Sequence, residues 1–351
     1  MTIESNRNRL IFWDMAKGAA ILLVIIGHID GIPGFLREMI FSFHMPFFFI
    51  ANAYFIRTYD VRKTFVRSVR SLLYPYMTVC MISAVWYTQL HLDTGEEPWR
   101  CFMQKVYAMI LGISFSSTIF TDVDSVWLVW FVICLFVSRN LYVLVMHGLQ
   151  RFSPVAQGAA IGLIALLGYY VGTHIAFLPW SADVAAVSLL FMWVGDFLSK
   201  KNIFSRWFLP LSGISAVVWL VTLKMGIQIE LATRRYPRFP LCILQAIAGS
   251  IFFVAVFCWL EQKGCILPPL EWLGKNSMVI LAVHCFEMMY VDWDTWFYSW
   301  IPYSGNFWVR CIIKIAVISM VGYAITAVRD GVRWLDRADE RERAMITQEN
   351  H

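Results

Sequence analysis

Asp14, Lys17 and His28 lie within RLIFWDMAKGAAILLVIIGH, an otherwise apolar run long enough to cross a membrane. Hydrocarbon rejects ionisable side chains, so those inside such a helix are rare and usually functional. Eleven residues at about 100° each return His28 to within roughly 20° of Lys17, and Asp14 sits one turn below Lys17. All three therefore share a face. The rise separates Lys17 from His28 by about 16 Å, around half the hydrocarbon thickness. Such a stripe joins a cation able to hold phosphate or carbonyl oxygen to an imidazole able to accept a proton near neutral pH. Asp14 is the expected partner that makes a buried Lys17 tolerable, and it completes a catalytic set with His28.

An acidic residue, a basic residue followed by Gly, a ten-residue gap and Gly-His, with FHMPFFF from Phe43 onward, resembles the membrane-integral acyltransferase-3 family of sugar and polysaccharide O-acyltransferases. In that family the basic residue, gap and His of the first helix mark the active site, so the resemblance implies that Lys17 and His28 are the counterparts. Lys replaces the commoner Arg and lacks its bidentate fork. The family continues with Ser-Gly-Tyr where this chain has Asn52, Ala53 and Tyr54. Ala keeps a small contact surface and Asn keeps a hydrogen-bonding group. The segment containing Arg67, Arg70, Leu72, Leu73, Pro75 and Tyr76 is similar to the family's paired-arginine segment. Gly274, the Lys275-Asn276-Ser277 run and His284 are similar to its late signature.

Composition requires an architecture that can hold this stripe. The 351 residues are 59% hydrophobic and 15% charged, with a mean hydropathy of +0.61. A soluble domain would be near half apolar and a quarter charged. The expectation is an all-α, polytopic membrane protein of one domain over residues 1–351, with about ten transmembrane helices and both termini cytoplasmic. Apolar runs place these helices at 10–29, 39–56, 72–90, 126–145, 155–173, 183–198, 207–225, 241–260, 277–291 and 306–327, followed by a charged tail over 328–351 that reads as a short fraying helix. MTIESNRNRL lacks a cleavable signal core, so the first run is retained as helix one. The net charge of +5 is spread over short loops and forms no stripe for nucleic acid. It reports topology, with Arg57, Arg62, Lys63, Arg67, Arg70, Lys200, Lys201 and Arg206 inside. The eight cysteines show no CxxC pair, and neither a metal nor an essential disulfide is expected.

Several loops and helix ends carry further candidates. His44 with Pro46 marks a helix start. Arg67 and Arg70, three apart on one helix face, are either ordinary positive-inside residues or a clamp for the phosphates of acyl-CoA. Phe102–Phe120 reads as a re-entrant or interfacial outer segment, and Trp127–Phe131 as the opening of helix four, similar to a Trp-Phe pair of the family. Lys224, Arg234, Arg235 and Arg238 cluster in one outer loop, against the positive-inside rule, where an anionic glycan or lipid-linked diphosphate would meet them. Gly274, Asn276 and Ser277 read as a capped start to helix nine, with His284 and Glu287 on one face. The aromatic stretch Tyr290–Trp300 belongs to the outer interface, as a sugar-stacking surface or an ordinary aromatic belt.

Together these point to transfer of an acyl group, most simply acetyl, from cytoplasmic acyl-CoA as co-substrate to a hydroxyl of a cell-surface glycan or lipid-linked sugar. No bound cofactor is expected, and the chain belongs in a bacterial cytoplasmic (inner) membrane. The assigned roles are catalysis by His28, His284 and Asp14; donor binding by Lys17, Arg67 and Arg70; and substrate binding by His44, Asn52, Tyr54, Arg235 and Glu287. A transporter or flippase is the alternative, although no internal repeat or matched pair of broken helices is visible. A lipid-linked sugar transferase would want acidic metal-binding pairs, for which Asp122 and Asp124 are the outer candidates.

Overall fold

The computed structural model describes residues 10–92, 95, 97–114, 123–201, 204, 208–301 and 305–349. Asp122, Arg206 and the end of the 102–120 segment lie outside these, as do the tail side chains beyond residue 332. Among the described residues the regular structure is helical: α1 (Ile11–Gly27), α2 (Gly34–Phe41), α3 (His44–Tyr54), α4 (Val61–Ser68), α5 (Tyr74–Leu90), α6 (Pro98–Leu111), α7 (Trp130–Leu149), α8 (Pro154–His174), α9 (Ala182–Lys200), α10 (Phe208–Lys224), α11 (Leu241–Gln262), α12 (Pro268–Lys275), α13 (Ser277–Tyr290) and α14 (Phe307–Glu349). Five of the described helices are long and apolar enough to cross a membrane, at Trp127–Leu149, Pro154–His174, Pro179–Lys200, Leu241–Gln262 and Phe307–Val332. α8 has only 22% of its apolar window buried inside the protein, against 61% for the span containing α7. α7 is therefore central, whereas α8 turns most of its surface outward.

The expected first and second helices are both interrupted. α1 stops at Gly27, two residues early, because Gly31 adopts a positive φ of 80° and Pro33 follows. The second run, expected over 39–56, divides into α2 and α3 at Ser42–Phe43. Pro46 offers no N–H to the Ser42 carbonyl, and its ring disfavours helix through that turn. Neighbouring helices tie down the break: Trp219 Nε1 donates to Ser42 Oγ at 2.8 Å, and Ser250 Oγ donates to the Phe43 carbonyl at 3.4 Å. The break puts His44 at the start of α3, as Pro46 suggests.

α4 runs into α5 through a π-helical turn, Val69–Leu73, just before Pro75. Such turns absorb a residue that cannot join the regular ladder. α6 is only 14 residues long, ends at Gly112 with a φ of 58°, and packs on α5, where Tyr76 Oη donates to the Met109 carbonyl at 2.7 Å. A 3-10 turn, Trp127–Val129, opens α7 at the expected place.

Two expectations about later segments are corrected. Gly274 does not begin helix nine; it sits in α12, which crosses α1 so tightly that a Cβ on Gly18 would lie 1.9 Å from the Leu270 carbonyl oxygen, and one on Gly274 1.8 Å from that of Asp14. The helix does start at Ser277 with Asn276 in the N-cap position, but the Asn276 side chain makes no capping bond; its Nδ2 donates to the Trp272 carbonyl and its Oδ1 accepts from Arg329. The tail forms no separate short helix, because α14 continues unbroken to Glu349.

Buried polar anchors fix the two ends of α9. At its start Asp183 receives Arg234 Nε at 2.8 Å and a second guanidinium nitrogen at 3.1 Å, with both side chains buried. At its end Asp196 accepts from Tyr142 Oη at 2.6 Å and from Tyr59, and Lys200 Nζ lies 3.1 Å away. Burial, followed by the Asp196 hydrogen bond and charge, pushes the Tyr59 phenol up and keeps it a donor.

Candidate functional site

A cavity of about 750 Å³ lies among α1, α3, α7, α13 and the loop between α10 and α11. Lys17, Ile21, Val24 and His28, recurring at four, three and four residues, form its α1 wall. The shared face expected from the sequence is thus a cavity wall. α3 runs alongside, with His44 at the His28 end and Asn52 and Phe55 at the Lys17 end.

At the Lys17 end, Nζ lies 2.7 Å from Asp14 Oδ1 and 5.7 Å from the centre of the Phe55 ring. Asp14 is buried behind the lysine and compensates its charge. Asn52 Oδ1 is buried without a hydrogen-bond partner.

At the other end, His28 Nδ1 donates to the Val24 carbonyl at 2.7 Å, and His44 Nδ1 to the Ile40 carbonyl at 2.9 Å. A ring nitrogen bonded to a carbonyl must carry the proton, so in each neutral ring Nε2 keeps its lone pair. His28 is half-buried at the cavity wall, whereas His44 is buried. The His28 and His284 rings meet edge to face, with centroids 5.6 Å apart.

His284 is fully buried, and its Nδ1 lies 2.9 Å from Glu287 Oε2. Glu287 Oε1 also receives Lys314 Nζ at 2.8 Å and the Trp293 indole N–H. A carboxylate held by a lysine and an indole fixes the orientation of the His284 ring, whose Nε2 has no partner. His284 and Glu287 do not line the cavity themselves; they stand behind His28.

Other expected residues lie elsewhere. Arg67 on α4 and Arg70 in the π-helical turn are exposed and outside the cavity lining. Tyr54 packs against Trp13, with ring centroids 4.6 Å apart and the planes tilted by 45°. Arg235 is exposed, and its backbone pairs with that of Glu230. The loop's buried cation is Arg234, already neutralised by Asp183. Asp124 lines the cavity and pairs with Lys105.

Sequence reasoning missed three charged residues of this region. Lys314 holds Glu287, Arg37 lines the cavity 3.9 Å from Glu230 and over the Phe41 ring, and Arg139 lines the cavity from α7. For Lys314 and Arg139 the signal was present, since each is a lone cation in an apolar run.

The chain thus offers an imidazole with a free Nε2 at one end of a cavity, a lysine at the other, and a second imidazole ordered by a carboxylate. Searches of curated proteins and of solved structures each found no match. A family model described as an acyltransferase domain matches residues 10–326, which include every residue of this cavity. With that match over nearly its whole length and its apolar helices, the chain belongs to the acyltransferase-3 family and is a membrane acyltransferase.

Proposed function

We propose that this membrane protein moves an acetyl group from acetyl-CoA on the cytoplasmic side to a hydroxyl of a cell-surface glycan or lipid-linked sugar. The observation that carries this reading is the single cavity bordered by Lys17 at one end and by His28 and His44 at the other. Its α1 wall runs about 16 Å from Lys17 to His28. A long, thin acyl carrier with an anionic head suits that shape: the head stays at the cationic end and the thioester reaches the imidazole.

The acceptor enters from the end carrying Arg37, Asp124, Ser125 and Glu230, where carboxylates and hydroxyls can bind sugar hydroxyls and Trp127 can stack on a ring. The acceptor oxygen attacks the thioester carbonyl as its proton passes to His28 Nε2. Arg37, facing the same space, offsets the negative charge that develops on the carbonyl oxygen. Collapse of the tetrahedral intermediate breaks the C–S bond, and the leaving thiolate recovers the proton from the imidazolium. His284, oriented by Glu287, packs against the edge of His28 and limits its rotation.

This reading includes ten membrane crossings with both termini cytoplasmic, since that arrangement puts most loop arginines and lysines inside. In the test, purified protein in lipid discs is incubated with radiolabelled acetyl-CoA, with and without a sugar acceptor. Acceptor-dependent release of free thiol and labelled sugar is expected. Acetyl-CoA bound without any transfer, across neutral and acidic sugars, would overturn the acceptor assignment. No binding of acetyl-CoA would overturn the donor.

A further inference from the structure

The cavity lining contains three basic side chains besides its histidines: Lys17, Arg37 and Arg139. Lys17 has Asp14 and Arg37 has Glu230. Arg139 has no carboxylate within ion-pairing distance among the described residues, and its Nε is buried with no hydrogen-bond partner. Its charged neighbour is another cation, Arg67 on α4. A guanidinium kept in apolar surroundings beside a like charge is costly unless an anion joins it.

Its place along the cavity identifies the end at which that anion binds. Leu128 in the 3-10 turn, then Phe131, Leu135 and Arg139 on α7, follow one another at three and four residues and form one wall. Trp127 lies near the Arg37 and Glu230 end, through Ser125, which donates to the Ser114 carbonyl, and Ser114, which donates to the Ala232 carbonyl. Phe131 meets Phe48 and Phe49 in the middle of α3. Arg139, about 12 Å farther along α7, therefore reaches the end that carries Lys17, Asn52 and Phe55. Asp14 already offsets Lys17, so the net positive charge at this end comes from Arg139 and the adjoining Arg67.

We propose that Arg139 binds the diphosphate of the acyl-CoA donor, with Arg67 assisting from the cytoplasmic approach, and so anchors the carrier whose thioester reaches His28. This assignment rests on the acyl-CoA reading given above. It also gives Arg67 a role from outside the cavity. The fork of Arg139 can hold two phosphate oxygens at once, which the Lys17 ammonium cannot.

The test compares two donors that differ only at the anionic end. Acetyl-CoA carries the diphosphate with its adenosine 3′-phosphate, and S-acetylpantetheine has the same thioester arm without that nucleotide. Binding of each is measured to wild-type protein and to Arg139→Gln in discs of zwitterionic phosphatidylcholine, which contain no anionic headgroup. Arg139→Gln is expected to weaken acetyl-CoA by roughly ten- to a hundredfold, the loss of a charge-assisted contact, and to leave S-acetylpantetheine unchanged. Arg139→Lys, which keeps the charge without the fork, should weaken acetyl-CoA by less, and it carries the same comparison should the Gln variant fail to insert. Equal weakening of both donors, or of neither, would overturn the proposal while leaving the acyl-CoA reading intact. An effect confined to discs containing phosphatidylglycerol would assign Arg139 to a lipid headgroup instead. Wild-type protein that binds neither donor would remove the acyl-CoA reading and this assignment with it.

Discussion

His28 owes its expected role to a tautomer. Because the Val24 carbonyl holds Nδ1–H, Nε2 faces the cavity as an acceptor, and the ring needs no rearrangement before it takes a proton. His28→Ala should keep donor binding and lose turnover by about a hundred- to ten-thousandfold, the usual loss for a general base. Retention of more than about a tenth of the wild-type rate would remove that role. His284 is the competitor, ordered by Glu287 but shielded from the cavity. If His284 acts only by positioning His28, His284→Asn should lower kcat while leaving the shape of the pH–rate profile intact. A profile that loses its acidic limb, the fall in rate as a base is protonated, in His284→Asn would move the base there. Part of this arrangement was legible in the sequence, because Lys17 and His28 lie on one helix and the 3.6-residue period fixes their face. The Lys314–Glu287 and Arg37–Glu230 pairs were not, since each joins segments far apart in the chain whose meeting depends on packing.

At the scale of elements, the crossing of α1 with α12 sets where the first-helix stripe can stand. Gly18→Ala would drive a methyl into the Leu270 carbonyl. The expected result is a destabilisation of about 1–3 kcal/mol, measured by thermal unfolding in detergent. Gly148→Ala in α7 meets no atom within 4 Å and serves as the control, expected to stabilise slightly by removing backbone freedom. Equal behaviour of the two variants would contradict the tight crossing. The loop between α10 and α11 offers a second contrast. Arg234→Ala breaks a buried pair and should cost about 3–5 kcal/mol, whereas Arg235→Ala, at an exposed side chain, should change stability little. The sequence marked this basic cluster as unusual but could not tell which arginine turns inward. That depends on Arg234 adopting a φ of 56° so that its side chain reaches Asp183 and stacks on Phe177. The break at Ser42–Phe43 was similarly half-legible. Pro46 announced a helix start, and apolarity alone then read straight through it.

For the whole molecule, hydropathy located the helices that carry Lys17, His28, Arg139 and His284, but it missed α2 as a separate helix bringing Arg37 to the cavity, and element length was less faithful. α1, α3 and α13 are shorter than a full span, because the site is built at helix ends and breaks, where side chains such as His28 and His44 can leave the regular ladder. Reporter fusions should read cytoplasmic after Thr58 and after Lys201, and external after Gly95. A cytoplasmic signal at Gly95 would remove the ten-crossing arrangement.

The Asp183–Arg234 pair has a consequence for how the chain enters the bilayer. The partners are 51 residues apart, so at ordinary synthesis rates Asp183 waits roughly 3–10 s for Arg234 to emerge. During that interval α8 and α9 carry an unneutralised carboxylate, and the hairpin they form is an incomplete assembly intermediate. Asp183→Asn should accordingly change sign with chain length. It should protect a nascent chain stopped after Met225 from proteolysis, yet weaken the finished protein. The same weakening at both lengths would show that the pair has no part in timing insertion. If the sign does reverse, the ion pair acts as a latch closed late in biogenesis, once the loop carrying Arg234 has been made.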